Sequence, residues 1–132
     1  MKKVLILCTG NSCRSIIAEA LLNAHCEGIQ AYSAGVRASG NVNAYAKRVL
    51  EEEGIWRETY HSKTLDEVID MEFDLVVTVC DHANETCPMF PRPVKKIHIG
   101  FSDPDGKDYG AFILTCKAIK AELLPIIAKE LV

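Results

Sequence analysis

The chain has 132 residues, 48% of them hydrophobic, which is enough for one packed core and too few for two, so a single domain over residues 1–132 is expected. A formal net charge of -3 supplies no basic field to hold a nucleic acid backbone. No apolar run approaches the length of a membrane span, and six cysteines without a secretory leader suit a reducing cytoplasm, where thiols react or pack rather than build a disulfide framework.

Lys2 and Lys3 precede Val4-Leu5-Ile6-Leu7, a run too short for a signal segment and continuous enough for a strand buried on both faces. A helix follows over Ser15 to Cys26, with Ile16, Ala20, Leu21 and Ala24 at helical spacing. Gln30 to Ser33 is a second strand ending before Gly35, Asn43 to Glu53 a second helix, and Leu65 to Ile69 a short third. Leu75-Val76-Val77-Thr78-Val79 is another short, mostly apolar run that reads as a strand buried on both faces. Asp81 to Pro93, with three prolines and several charges, reads as a mobile functional loop. Lys95 to Ile99 is a fourth strand before Gly100, and Tyr109 to Leu131 a closing helix that Pro125 should kink or interrupt. Strands alternating with helices imply an α/β fold: an open parallel four-stranded sheet with helices on both faces and right-handed crossovers.

The chemistry begins where the first strand meets the first helix, at Cys8-Thr9-Gly10-Asn11-Ser12-Cys13-Arg14-Ser15. A short loop can wind its backbone N–H groups around a tetrahedral oxyanion, and a helix N-terminus adds its positive end. The candidate oxyanion-binding residues are therefore Thr9, Gly10, Asn11, Ser12, Cys13 and Arg14, with Arg14 as a bidentate fork. The same donors should lower the pKa of Cys8 and make it a nucleophilic thiolate, with Ser15 steadying it by hydrogen bonding. A purely structural Cys8 would leave Arg14 and Ser15 at this spacing unexplained. Cys13, Cys26 and Cys116 are taken as packing residues, as is Trp56 at the end of the second helix.

This loop resembles that of the low-molecular-weight protein tyrosine phosphatase fold, and within it the sequence is most similar to thioredoxin-coupled arsenate reductases. The resemblance extends through Tyr32-Ser33-Ala34-Gly35, the strand ending at Cys80, and Gly100-Phe101-Ser102-Asp103-Pro104. Cys80 ends its strand as Cys8 ends the first, at the carboxyl edge where open sheets bind ligands, and Cys87 follows seven residues later. The positions permit a relay. Cys8 attacks arsenate, Asp103 protonates the departing hydroxyl, Cys80 attacks Cys8 and expels arsenite, and Cys87 moves the disulfide to Cys80–Cys87 for thioredoxin to reduce. The resemblance implies this relay, since relatives of this kind carry a pair like Cys80 and Cys87 with a proline such as Pro88 after the second. Asp105 is a rival acid without a following proline.

The resemblance also implies a monomer that requires no cofactor, and a structural potassium ion at Asn11, Glu19 and Ser33, tuned from His61. The carboxylate that such relatives carry near Thr64 is missing here, Asp66 being displaced from it. Two alternatives stand beside reduction. A phosphatase needs only Cys8 and Arg14, and a noncatalytic sensor could take zinc through Cys80, His82, Cys87 and His98.

Overall fold

The computed structural model describes residues 1–81, 83, 90 and 93–131. Four parallel strands, β1 (Lys2–Cys8), β2 (Ile29–Gly35), β3 (Leu75–Thr78) and β4 (Lys95–His98), form one sheet in the order β2-β1-β3-β4. Val4, Leu5, Ile6 and Leu7 are all 0% exposed. Successive strand residues point to opposite faces, so both faces of β1 are covered, as its unbroken apolar run requires. β4 is different: Lys95, Lys96 and His98 are exposed and Ile97 only partly buried, which suits an edge strand.

Three helices are described: α1 (Arg14–His25), α2 (Ala44–Glu52) and α3 (Tyr109–Glu130). α1 packs on β1 and β2 and against α3, and α2 leans on both helices. Ile16, Ile17 and Leu22 are 0% exposed, each worth about 1.5–3 kcal/mol relative to an exposed side chain. The expected third short helix is a single 3-10 turn at Leu65–Glu67, entered through a capping box between Thr64 and Glu67. Trp56 packs edge-on against Tyr60, 5.7 Å between ring centroids, as a structural residue. Among the described residues, no helix is long and apolar enough to cross a membrane.

The break expected at Pro125 does not occur, because α3 runs continuously from Tyr109 to Glu130. Proline deprives the helix of one backbone donor. Leu123 and Ile127, both 0% exposed, fasten the turns on either side to the core and outweigh that loss.

Candidate active site

β1 runs in register beside both neighbours, with Leu7 opposite Thr78 and Cys8 opposite Gly35. The residues that leave β1 and β3 therefore emerge together at the carboxyl edge of the sheet. From Cys8 the chain turns through residues 9–13 into α1, and its carbonyls are drawn outward. The amide N–H groups of Val36, Arg37, Ser39 and Asn43 donate to the carbonyls of Cys8, Thr9, Gly10 and Ser12 at 2.9–3.1 Å. In a planar trans peptide the N–H opposes the C=O, so the amides of Thr9, Gly10, Asn11 and Cys13 are turned the other way, into the cradle.

Gly35 backs this loop so closely that a Cβ there would sit 2.6 Å from the Thr9 carbonyl oxygen and 3.1 Å from Asn11 Cβ. Asn11, at φ 49°, is the only described non-glycine residue in the left-handed region. It is held there by three buried hydrogen bonds. Its Nδ2 donates to Ser15 Oγ (2.7 Å) and Ser33 Oγ (2.9 Å), and its Oδ1 accepts from the Lys63 backbone N–H (2.9 Å). Ser15 Oγ, by accepting from Asn11, helps to shape the loop and keeps its own O–H proton to donate.

The helix ends differ in a way that concerns the cradle. α2 is capped by Asn43, which accepts from the Tyr45 and Ala46 amides, and α3 by Asp108, which accepts from the Ala111 amide. α1 has no side-chain cap and no acidic residue in its first turn. Its positive end is left for an anion. Arg14 opens this helix. Its Nη1 donates to the Phe101 carbonyl (2.9 Å), its Nη2 lies 3.5 Å from Asp103 Oδ2, and its Nε is buried without a protein partner. Asp103 comes to this position because the Ile99 and Phe101 amides donate to the Thr78 and Val79 carbonyls, extending the sheet pairing past β4. Asp103 also receives the Asp105 amide, while the rival Asp105 is turned toward Asn43 Nδ2, 3.1 Å away.

Cys8 and Cys80, 4% and 5% exposed, are each the foremost influence on the other's thiol. Cys80 is held down to about 5 by the hydrogen bond from Cys8, helped by Thr9 Oγ1 at 3.2 Å and the Ala83 amide at 3.4 Å, against the cost of burial. Cys8 is pushed well above the usual thiol range by the same hydrogen bond and by burial, against the Arg14 charge and the Thr9 amide. The low thiol expected at Cys8 alone is therefore a property of a pair, whose first proton leaves easily and whose second is retained. Burial pushes Cys13 and Cys116 up to about 11, in keeping with packing roles.

Cys87, with His82 and Pro88, lies outside the described residues. Asn11, Glu19 and Ser33 do meet, since Ser33 Oγ donates to Glu19 Oε1 at 2.6 Å. Sequence reasoning missed Lys63, whose backbone fixes Asn11 from 52 positions away, and the brace behind Cys80. In that brace His98 bonds Thr78 Oγ1 through Nδ1 (2.8 Å) and Asp81 Oδ1 through Nε2 (2.9 Å).

The sequence family described as low molecular weight phosphotyrosine protein phosphatase matches residues 3–129. An arsenate reductase of Brevibacillus brevis is 43% identical over 116 residues, covering 84% of this chain and 83% of that protein. The crystal structure of an arsenate reductase from Archaeoglobus fulgidus superposes with a TM-score of 0.81 at 34% identity, covering 95% of this chain and 98% of the other. A low molecular weight protein tyrosine phosphatase from T. tengcongensis superposes with a TM-score of 0.84 at 27% identity, over 98% and 99% of the two chains. The chain belongs to the low molecular weight phosphotyrosine protein phosphatase family, and within it to the arsenate reductases.

Proposed function

We propose that the protein reduces arsenate to arsenite through a disulfide relay from Cys8 to Cys80 to Cys87. The observation that carries this reading is a second buried thiol, Cys80, brought beside the cradle with its sulfur 3.2 Å from Thr9 Oγ1. The resemblance of the chain to proteins named arsenate reductase supports it.

The first step is attack of the Cys8 thiolate on As(V), with the departing hydroxyl taking a proton from Asp103 and leaving as water. Cradle amides and the Arg14 fork, including its unpartnered buried Nε, hold the remaining oxygens. Cys80 then attacks Cys8 Sγ. The S–As electron pair passes to arsenic, which leaves as arsenite, and the two thiols are oxidised to a Cys8–Cys80 disulfide. Cys8 attacks once its proton has passed to Cys80, and Cys80 releases that proton to the departing arsenite when it attacks in turn. Cys87 attacks Cys80 and releases Cys8, and a thioredoxin dithiol reduces Cys80–Cys87 in the reducing cytoplasm.

The decisive experiment treats reduced protein with one equivalent of arsenate and maps its disulfides by mass spectrometry. A Cys80–Cys87 product is expected from the native protein, and a Cys8–Cys80 product from Cys87→Ser. Retained multiple turnover with thioredoxin in Cys87→Ser would overturn the relay. A phosphatase is the second reading, favoured by the fact that Cys8, Arg14 and Asp103 form a complete constellation without Cys80. Hydrolysis of an aryl phosphate that survives Cys80→Ser, with no arsenate turnover in the native protein, would select it.

A further inference from the structure

The oxyanion cradle rests on a chain of three buried side chains, Asn11, Ser33 and Glu19, anchored by the backbone of Lys63. Asn11 Nδ2 donates to Ser33 Oγ, Ser33 Oγ donates to Glu19 Oε1, and the Lys63 backbone N–H donates to Asn11 Oδ1. Glu19 is 5% exposed and Lys63 is 8% exposed, so two opposite charges lie inside one small protein. They line a common cavity of about 260 Å³ with Arg57 and His61. Lys63 Nζ donates to the His61 carbonyl at 3.2 Å, which keeps the ammonium on the cavity wall. Burial pushes the Glu19 carboxyl up, and the foremost influence opposing that push is the Lys63 charge.

A hard monovalent cation needs several oxygen ligands free to converge on it. Asn11, Ser33 and Glu19 already spend much of that capacity on one another and on Lys63. The Asn11 oxygen is taken by the Lys63 amide, and the face that Asn11 turns to Ser33 is its NH2 group. Arg57 and Lys63 line the same cavity as Glu19, and their charges repel a further cation. The charge that Glu19 calls for is already in the chain.

We propose that Lys63 takes the place of a structural cation, so that its ammonium neutralises buried Glu19 and its backbone N–H holds Asn11 in the cradle. Lys63 is then a positioning residue for the cradle, whichever oxyanion the enzyme turns over. Removing its charge strands the carboxylate, and removing the carboxylate's charge as well repairs most of the damage.

The test is a double-substitution cycle read by thermal unfolding, with inorganic phosphate affinity measured by calorimetry. Lys63→Met should lower the unfolding midpoint by about 10 °C or more and weaken phosphate binding about ten-fold, by loosening the donors that Asn11 sets. Adding Glu19→Gln, which still accepts from Ser33, should restore at least half of both losses. The native midpoint should be the same in potassium, sodium and N-methylglucamine chlorides at equal ionic strength, a comparison that stands even where Lys63→Met does not fold. A potassium-specific rise in the native midpoint would overturn the proposal. So would a double variant no more stable than Lys63→Met.

Discussion

Asn11 is where the cradle's shape is decided, and its loss can be divided into side-chain and backbone parts. Asn11→Ala removes three buried hydrogen bonds and leaves the Lys63 N–H without its acceptor. At about 1 kcal/mol per bond, with a further 1 kcal/mol for the stranded amide, the loss is about 4 kcal/mol. Alanine at φ 49° adds about 1–2 kcal/mol of left-handed strain. Asn11→Gly loses the same bonds without that strain but gains freedom in the unfolded chain, so it should be the more stable variant by about 0.5–1 kcal/mol. Urea unfolding of the reduced proteins measures both gaps, with the rate of Cys8 alkylation reporting the cradle directly. The reasoning fails if Asn11→Ala costs under about 1 kcal/mol, since buried bonds of this kind cannot then be holding the loop. It also fails if Asn11→Gly is the less stable of the two.

The thiol pair makes stability depend on pH. Cys80, held down to about 5 against an ordinary 9.0, binds a proton only in the unfolded chain between those values, so stability should rise from pH 5 to 9. Above 9 the sign reverses, because native Cys8 keeps a proton that the unfolded chain has lost; urea midpoints across pH should peak near 9 and flatten in Cys80→Ser. Arg14→Lys should cut kcat for arsenate by about two to three orders of magnitude in a thioredoxin-coupled assay, since an ammonium cannot reproduce the guanidinium fork. Gly35→Ala should cost about 1–3 kcal/mol in urea unfolding, because its Cβ meets Thr9 backbone at 2.6 Å, and should weaken phosphate binding in calorimetry.

Much of this was legible in the chain because the signals are local. β1 and β3 appear as unbroken apolar runs since they are covered on both faces, and Cys8, Arg14 and Ser15 appear as a spacing because the cradle is one short loop. The exposed edge strand Lys95–His98 carries little apolar signal and was visible mainly through the glycine after it. Lys63 was not legible at all. A lysine between Ser62 and Thr64 looks like any solvated residue, and only folding brings its amide to Asn11 and its charge to Glu19. The coupling of Cys8 to Cys80 was missed for the same reason. Donors in the loop argue for a low Cys8 pKa, but a second thiol arriving on a neighbouring strand changes which sulfur holds the charge. Pro125 erred in the other direction, where local propensity was overruled by the buried residues on both sides of it.

The pairing of β1 with β3 has a consequence for when the chemistry can happen. Thr9 and Cys80 touch although 71 positions separate them, and in an unfolded chain that contact would be closed only rarely. The sheet converts it into a permanent encounter, in effect a very high local concentration of one thiol around the other. Arsenate bound to a Cys8 in a denatured copy of this protein would therefore wait for an external thiol, whereas the folded molecule answers with its own. On the proposed relay, the sheet itself is then the gate on reactivity, admitting only chains that have completed their fold.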